Sequence, residues 1–159
     1  MISLIASVGK NREIGKNNKL IWRIPNDMKF FRDTTMGHVV VMGRNTYLSL
    51  PGDLPGREMI VITDASFDGN VKCVSSIEEV LEKYANVSEE IFIIGGASIY
   101  KQFIEYADRL YLTEIDASDS DADTFFPDFD KNEWDKVILD EDSCNGLEYK
   151  MCRYDRKTV

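Results

Sequence analysis

The sequence predicts an α/β fold in which helices cover both faces of a mostly parallel sheet and an antiparallel hairpin closes the chain. Short, continuously apolar runs at residues 39–42 and 91–94 are typical of strands buried on both faces. Helical segments separate most of the strand candidates, as parallel connections require. The last two candidates, at residues 134–139 and 147–154, have only a polar turn between them and should pair antiparallel.

Length, composition and charge narrow the class of protein. The chain has 159 residues, 43% apolar and 30% charged, so we expect residues 1–159 to form a single domain with a sizeable core. Its net charge of -9 argues against nucleic acid as the main partner, because binding a phosphate backbone needs a basic surface. The three cysteines are widely spaced, so they indicate neither disulfides nor a zinc site. The chain shows no signal peptide and no membrane span, and we expect a cytoplasmic protein.

The first half of the chain alternates strand and helix signals. An apolar run predicts a buried strand at residues 2–8. The polar segment 9–19 shows neither the helical nor the strand periodicity of apolar residues and is expected to be a long loop. Loops of that length in compact domains are often functional. Pro25 and the polar residues after it predict a helix over residues 26–35. Apolar runs and turn residues then predict a strand at 39–42, a short helix at 46–50 and a strand at 59–63.

The second half continues this alternation up to the hairpin. Ser76 and Glu79 form a capping-box pattern ahead of an apolar face that is spaced for a helix over residues 77–84. The remaining segments are predicted as a strand at 91–94, a helix at 97–105, a strand at 109–115 and an acidic loop without a packing signal at 116–123.

One carboxylate, Asp27, lies among bulky apolar side chains at a helix start. Asp27 and Phe31 are four residues apart and share a helix face, which Met28 can extend. If this face lines a pocket, Asp27 is an acid in apolar surroundings, and its pKa should be raised. The alternative is an exposed aspartate that only caps the helix. The stretch by itself leaves both interpretations open.

Two buried strands lead directly into glycine and a helix start. The first is followed by Gly43-Arg44-Asn45-Thr46 and the second by Gly95-Gly96. Helix starts favour anions, and ligands in open α/β sheets bind at the carboxyl ends of strands. A turn or close packing is the alternative explanation for the glycine pair. Neither the G-x-G-x-x-G fingerprint nor the G-x-x-x-x-G-K-[ST] phosphate loop is present.

The inventory of reactive side chains favours chemistry carried by a cofactor. The single histidine, His38, lies in a loop-like context where a surface position is expected, which argues against metal catalysis and a Ser-His-Asp triad. A catalytic cysteine would lack a base for the same reason. A cofactor can carry the reactive atom while the protein supplies position and electrostatics.

Seven short motifs in order along the chain resemble bacterial dihydrofolate reductases, and together they are very specific. They span nearly the whole chain and are Ile14-Gly15, Leu20-Ile21-Trp22, Pro25-Asn26-Asp27, Val41-Met42-Gly43-Arg44-Asn45-Thr46, Leu54-Pro55-Gly56-Arg57, Ile94-Gly95-Gly96 and Asp123-Thr124-Phe125-Phe126-Pro127.

The resemblance implies a three-layer fold that reduces 7,8-dihydrofolate with NADPH, serves one-carbon and thymidylate metabolism, and binds antifolates. Asp27 would hold the pterin ring, with Thr113 and an ordered water completing the network. Leu20 and Trp22 would admit the water that delivers the proton. Tyr100 completes the implied catalytic set. Arg57 would bind the α-carboxylate of the glutamate tail, and the apolar slot would consist of Ile5, Ala6, Met28, Phe31, Leu50, Leu54 and Ile94.

The resemblance also implies where NADPH binds and what covers it. The polar segment 9–19 would be a mobile lid over the nicotinamide, with the acidic loop near Asp123 as its partner. A cis peptide is implied between Gly95 and Gly96. The implied cofactor residues are Ser7, Ile14 and Gly15 at the nicotinamide, Gly43, Arg44, Asn45 and Thr46 at the phosphates, Ile62, Thr63 and Asp64 near the 2′-phosphate, and Gly95, Gly96, Ala97, Ser98, Ile99 and Tyr100 at the second helix start.

The chain departs from the family pattern at a few positions, and two rival functions are weighed against it. Ile21 replaces a proline, Ala122 replaces a glycine, and the carboxylate of Asp64 would oppose the 2′-phosphate. We still predict NADPH over NADH, and we expect a monomer. The rivals are a fold-related reductase of another pterin-like or pyrimidine substrate and a non-catalytic nucleotide-binding domain. Arg57 favours a substrate with a glutamate tail over the first rival.

Overall fold

The secondary structure follows the predicted alternation of strands and helices. The computed structural model describes residues 1–67, 69 and 71–158. Its elements, in chain order, are β1 (Ile2–Val8), β2 (Glu13–Gly15), α1 (Pro25–Thr35), β3 (Val39–Gly43), α2 (Arg44–Ser49), β4 (Glu58–Ile62), β5 (Val71–Val74), α3 (Ile77–Tyr84), β6 (Ile91–Ile93), α4 (Ala97–Phe103), β7 (Arg109–Ile115), β8 (Thr124–Phe125), β9 (Trp134–Cys144) and β10 (Leu147–Arg156).

Eight of these strands form one sheet in the order β5-β4-β3-β6-β1-β7-β10-β9. Strands β1, β3, β4, β5, β6 and β7 pair parallel, whereas β10 pairs antiparallel with both β7 and β9. The predicted fold class, a mostly parallel sheet with an antiparallel C-terminal hairpin, is therefore confirmed. The carboxyl ends of the central strands β1, β3 and β6 meet at one edge of this sheet.

The two faces of the sheet carry separate apolar cores. On one face, Val80 and Tyr84 of α3 and Phe103 of α4 pack with buried residues of the sheet. On the other face, Phe30 and Phe31 of α1 pack against a second cluster of buried residues. Strands such as β3 are apolar at every position because both of their faces are covered by these cores.

Several predicted boundaries and one predicted cap differ from the structure. Segment 9–19 is not wholly a loop, because β2 within it pairs antiparallel with β8. Helix α2 begins at Arg44 rather than at residue 46, and α4 ends at Phe103, where a 3-10 turn follows. The predicted capping box is wrong: Ser76 makes no side-chain cap, and Glu79 Oε1 instead accepts a hydrogen bond from Ser75 Oγ at 2.7 Å.

Candidate active site

A cleft of about 1070 Å³ opens at the carboxyl ends of the central strands. Strand β1 contributes Ser7, β3 contributes Gly43, and Ile94 follows β6. This is where open α/β sheets bind ligands. Of the predicted site residues, those that line the cleft are Ile5, Ala6, Ser7, Ile14, Gly15, Leu20, Asp27, Met28, Phe31, Gly43, Arg44, Asn45, Thr46, Leu50, Ile62, Ile94, Gly95, Gly96, Ala97, Ser98, Ile99, Tyr100 and Thr113.

Asp27 is the only carboxylate that lines this cleft in the part of the chain that the structure describes. Thr113 Oγ1 donates a hydrogen bond to Asp27 Oδ1 at 2.5 Å, and Ser7 Oγ donates one to Oδ2. Burial raises the pKa of Asp27, and these two hydrogen bonds offset part of the rise because they stabilise the charged form. The sequence left a capping role open, but the cap position of α1 is Ile24, and its side chain makes no cap hydrogen bond.

Apolar side chains surround the carboxylate. Phe31 and Met28 of α1 lie on the same side of the cleft as Asp27, and Ile5, Leu50 and Ile94 complete the lining. Phe30 also lines the cleft, although sequence reasoning did not include it. The result is a flat, apolar slot with one acidic group, which suits an aromatic ring that carries hydrogen-bond donors on one edge.

Glycines keep the other half of the cleft open. The Gly95–Gly96 peptide is cis, as the resemblance implies. A Cβ on Gly95 would lie 3.3 Å from Thr46 Oγ1, and a Cβ on Gly43 would lie 3.0 Å from Ile99 Cγ1. Any side chain at these positions would therefore fill the space between α2 and α4. Arg44 adds a positive charge to this half of the cleft.

Tyr100 closes the floor of the cleft rather than presenting its hydroxyl to it. Its hydroxyl donates to the carbonyl oxygen of Ile5 at 2.7 Å, and the side chain is buried. Burial raises the pKa of this phenol well above its usual range, so the hydroxyl stays protonated at neutral pH. The hydrogen bond joins α4 to β1 beneath the apolar slot.

Five predicted site residues do not line the cleft. Trp22 packs beside it against the buried cluster that contains Ile24 and Tyr149. Leu54 packs on the core under α1, Thr63 Oγ1 accepts a hydrogen bond from the Ala65 N–H at 3.1 Å, and Asp64 is exposed. The fifth residue is Arg57.

The Arg57 side chain is held by polar contacts with Thr35 and Pro55. Its Nη1 lies 3.3 Å from Thr35 Oγ1, and its Nε donates to the Pro55 carbonyl oxygen at 3.1 Å. Partial burial lowers the pKa of Arg57, and the positive charge of Arg32 lowers it further. Among the described residues, Arg57 makes no ion pair with a carboxylate. The Arg57 guanidinium is thus available to an anion, whereas Arg32 Nε already lies 3.5 Å from Asp33 Oδ1.

Sequence reasoning missed part of the cleft wall. Some of the missed residues belong to segment 9–19 or lie just after it, and only their position in a polar loop could have indicated them. The missed lining residues are Asn17, Asn18, Lys19, Arg23, Phe30, Ser49, Pro51 and Thr124.

Besides the backbone hydrogen bond from the Lys10 N–H to the Ala117 carbonyl oxygen at 2.8 Å, segment 9–19, the predicted lid, is joined to the acidic loop by hydrogen bonds at two places. Asp123 N–H donates to the Gly15 carbonyl oxygen at 3.1 Å, and Asp123 Oδ2 accepts from the Asn17 N–H at 2.9 Å. The second place is Glu13, which is only 1% exposed and accepts N–H donors of Asn11 and Asp119, each at 2.7 Å.

The buried Glu13 carboxylate corrects the expectation that the acidic loop has no packing signal. Burial disfavours its charge, but the backbone N–H donors, first that of Asp119, outweigh burial and lower the pKa of Glu13. The acidic loop therefore packs on the lid base, and Glu13 remains ionised at neutral pH.

The remaining reactive side chains lie away from the cleft. His38 is half-buried rather than fully at the surface, with Nδ1 2.9 Å from the Glu90 carbonyl oxygen and its ring edge-on to Phe92. The three cysteines are unpaired thiols. Within the described ranges, there is no cluster of metal-ligating side chains, and no helix is long and apolar enough to cross a membrane.

Comparisons with known proteins identify relatives over the full chain. A family model described as dihydrofolate reductase matches residues 1–156. The chain is 40% identical to the dihydrofolate reductase of Bacillus subtilis (strain 168), over 99% of this chain and 95% of that protein. It is 36% identical to the Staphylococcus haemolyticus dihydrofolate reductase, over 98% of this chain and 95% of that protein. The structure of Enterococcus faecalis dihydrofolate reductase complexed with NADP(H) and RAB-propyl superposes with a TM-score of 0.89 at 31% identity, covering 99% and 97%.

Proposed function

We propose residue roles from the premise that the chain belongs to the dihydrofolate reductase family and reduces 7,8-dihydrofolate to tetrahydrofolate with NADPH. The observation that carries the assignment is the carboxylate of Asp27 in the cleft. It accepts hydrogen bonds from the hydroxyl groups of Ser7 on β1 and Thr113 on β7. A nucleotide-binding domain without catalysis would not need an acid with a raised pKa at the floor of an apolar slot.

Asp27 binds and polarises the pterin ring in this proposal. Its oxygens accept hydrogen bonds from the pterin amino group and the adjacent ring N–H, with Thr113 and an ordered water in the same network. The carboxylate charge favours protonation of the ring nitrogen next to the carbon that is reduced. Leu20 and Trp22 control the access of the water that delivers this proton. Asp27 itself stays within the apolar slot and does not form a covalent bond.

The remaining substrate contacts follow the shape of the cleft. The pterin and aminobenzoyl rings pack on Ile5, Met28, Phe31 and the neighbouring apolar residues. Antifolates with a similar ring would occupy the same slot and use the same carboxylate. Arg57, whose guanidinium makes no ion pair among the described residues, suits the α-carboxylate of the glutamate tail.

The residues of the other half of the cleft fit NADPH. The space that Gly43, Gly95 and Gly96 leave between α2 and α4 would be lost with any Cβ there, and Arg44 supplies positive charge for phosphate. When bound, the cofactor supplies the hydride. The lid residues Ile14 and Gly15 line the same space and would exclude water from it.

The preference for NADPH over NADH should be visible in catalytic efficiency. We expect a higher kcat/KM with NADPH in dihydrofolate-dependent oxidation, because Arg44 favours the 2′-phosphate. Asp64→Asn should raise kcat/KM for NADPH about two- to five-fold, since exposed charge interactions contribute about 0.2–1 kcal/mol. Its efficiency with NADH should not change. Equal kcat/KM values for the two cofactors in the unmodified protein would refute the preference.

Arg57→Leu should weaken the binding of the glutamate tail. We expect KM for dihydrofolate to rise about tenfold, because a hydrogen bond to a charged group contributes about 1.5 kcal/mol or more. Turnover at saturating substrate should change little. The matched measurement uses a dihydropterin without a glutamate tail, whose kcat/KM should be the same for both proteins. A parallel loss with that substrate would show that Arg57 supports the slot rather than the tail.

We also propose that residues 1–159 form one domain that works as a monomer in the cytoplasm, without nucleic-acid or membrane partners. The continuous eight-stranded sheet, which includes both β1 and β10, supports the single domain. The net charge of -9 disfavours nucleic acid. Edge strand β9 carries Asp135, Asp140, Glu141 and Asp142 on either side of its exposed apolar residues 137–139, and charges on an edge strand oppose pairing with a second sheet.

A further inference from the structure

Ser7 and Thr113 lie directly opposite each other on the adjacent parallel strands β1 and β7. Both hydroxyls donate to the same carboxylate, Ser7 Oγ to Asp27 Oδ2 and Thr113 Oγ1 to Asp27 Oδ1. Neighbouring strands are about 4.8 Å apart, so hydroxyls on paired residues can reach the two oxygens of one carboxylate from either side. The family resemblance placed Thr113 beside Asp27 but placed Ser7 at the nicotinamide.

The two hydroxyls limit what the carboxylate can offer to a ligand. An ionised carboxylate has about four lone-pair positions, two on each oxygen. Ser7 and Thr113 take one position on each oxygen of Asp27, which leaves one position on each oxygen for the cleft. A pterin ring presents an amino N–H and a ring N–H side by side, and this pair of donors requires one acceptor position on each oxygen.

We propose that Ser7 is a positioning residue for substrate binding, because its hydroxyl, together with that of Thr113, holds the Asp27 carboxylate in the orientation that presents both oxygens to the pterin donors. This inference rests on the proposed role of Asp27. Without Ser7, only Oδ1 is held by a neighbouring strand, and the carboxylate can rotate about its bond to Cβ. A rotated carboxylate accepts one of the two pterin donors well and the other poorly.

The same hydrogen bond stabilises the charged form of Asp27. Burial raises the pKa of Asp27, and the Ser7 hydroxyl is the first of the two groups that oppose the rise. Tyr111 lies two positions before Thr113, on the same face of β7, whereas Glu114 points to the other face. Neither Tyr111 nor Glu114 contributes to the change in the pKa of Asp27. The other titratable or charged side chains that line the cleft, in the part of the chain described, are Lys19, Arg23, Arg44 and Tyr100.

Strand β1 offers a matched control. Ser3 lies four residues before Ser7, so its side chain is on the same face of the strand. Its hydroxyl also donates to a carboxylate, Glu90 Oε2, at 2.6 Å, but at the opposite end of the strand and outside the cleft. Ser3→Ala therefore removes the same kind of hydrogen bond without changing the site. Ser7→Thr keeps the hydroxyl and is the conservative variant.

The experiment measures two quantities in Ser7→Ala, Ser7→Thr and Ser3→Ala. Isotope-edited infrared spectroscopy gives the pKa of the Asp27 carboxyl, whose band is identified by its loss in Asp27→Asn. Steady-state kinetics gives kcat and KM for dihydrofolate across pH. We expect Ser7→Ala to raise the Asp27 pKa by about one pH unit and KM by about fivefold to tenfold, because a donor to a charged acceptor is lost. Ser3→Ala should match the unmodified protein, and Ser7→Thr, which keeps the hydroxyl, should restore the Asp27 pKa that Ser7→Ala loses.

The outcomes separate this inference from the role of Asp27. If Ser7→Ala leaves both the Asp27 pKa and KM unchanged while Asp27→Asn abolishes turnover at neutral pH, the role of Ser7 is overturned and that of Asp27 stands. If Asp27→Asn itself keeps normal turnover, the proposed function of the carboxylate fails. An equal effect of Ser3→Ala and Ser7→Ala would reduce Ser7 to a structural residue of β1.

Discussion

Asp27→Asn is expected to lower turnover with dihydrofolate by about a hundredfold or more at neutral pH, because a positioned acid or base typically contributes about 10²–10⁴ in rate. The amide keeps the size of the side chain but lacks the charge that favours protonation of the pterin ring. Activity should recover as the pH falls, since part of the substrate is then already protonated in solution. The pH dependence of kcat measures both effects, and near-normal turnover at neutral pH would contradict the role of Asp27.

The same substitution should stabilise the fold at neutral pH. Burial raises the folded-state pKa of Asp27 above its unfolded value. The stabilising contribution of such a group is fully present below the unfolded pKa and is lost as the pH rises through the folded pKa. At neutral pH the buried charge therefore costs stability, and Asp27→Asn should have a higher Tm than the unmodified protein. Asp33→Asn removes a charge from an exposed position on the same helix and should leave both Tm and turnover nearly unchanged.

Opposite effects on turnover and Tm would distinguish a functional carboxylate from a structural one. A capping aspartate would lose stability on substitution, because its helix N–H groups would lose an acceptor. The hydrogen bonds that Ser7 and Thr113 donate to Asp27 offset only part of the cost of burial. The protein thus keeps an unfavourable charge in its cleft, as active sites commonly do.

The sequence predicts best the elements whose signal is local. Strands β1 and β7 have the bounds expected from residues 2–8 and 109–115, because each is a short, mainly apolar segment most of whose residues are buried in the sheet. Strand β2 could not be predicted in this way. Its three residues have no period of their own, and they form a strand because they pair with β8, more than a hundred residues later.

In the site, too, the local sequence indicated the type of a residue but not its distant hydrogen-bond partners. The position of Asp27 beside Phe31 on a helix left two interpretations open, an acid in an apolar slot and a helix cap, and the cleft shows the first. The hydroxyls that hold it are 20 and 86 residues away along the chain, so no local pattern could have paired them with Asp27. The resemblance placed Ser7 at the nicotinamide, and nothing in the sequence linked its hydroxyl to Asp27. Glu13 was visible only as one charge in a polar segment.

Gly9→Ala is expected to disturb the junction where the lid, Trp22 and the acidic loop meet. A Cβ on Gly9 would lie 2.6 Å from Glu13 Oε1, 2.7 Å from Trp22 Cη2 and 2.9 Å from the Ala117 carbonyl oxygen. The Ala117 oxygen belongs to the backbone and already accepts the Lys10 N–H at 2.8 Å, so a small side-chain rotation cannot relieve all three contacts. Either the lid base or the acidic loop must move.

Overpacking of this kind costs about 1–3 kcal/mol. We expect a Tm lower by roughly 2–12 °C, since each kcal/mol shifts Tm by about 2–4 °C in a domain of this size. Turnover should fall as well, because Trp22 would be displaced and Glu13 would lose its position between Asn11 and Asp119. Gly52→Ala is the matched control, since a Cβ there meets no atom within 4 Å.

Thermal unfolding and steady-state turnover of the Gly9 and Gly52 variants test this junction together. If Gly9→Ala lowers Tm but leaves turnover intact, the lid tolerates movement of its base, and the Glu13 contacts serve stability alone. A loss of turnover that exceeds the loss of folded protein would show that the lid must be held by the acidic loop for the reaction. Equal behaviour of the two alanine variants would contradict the packing at Gly9.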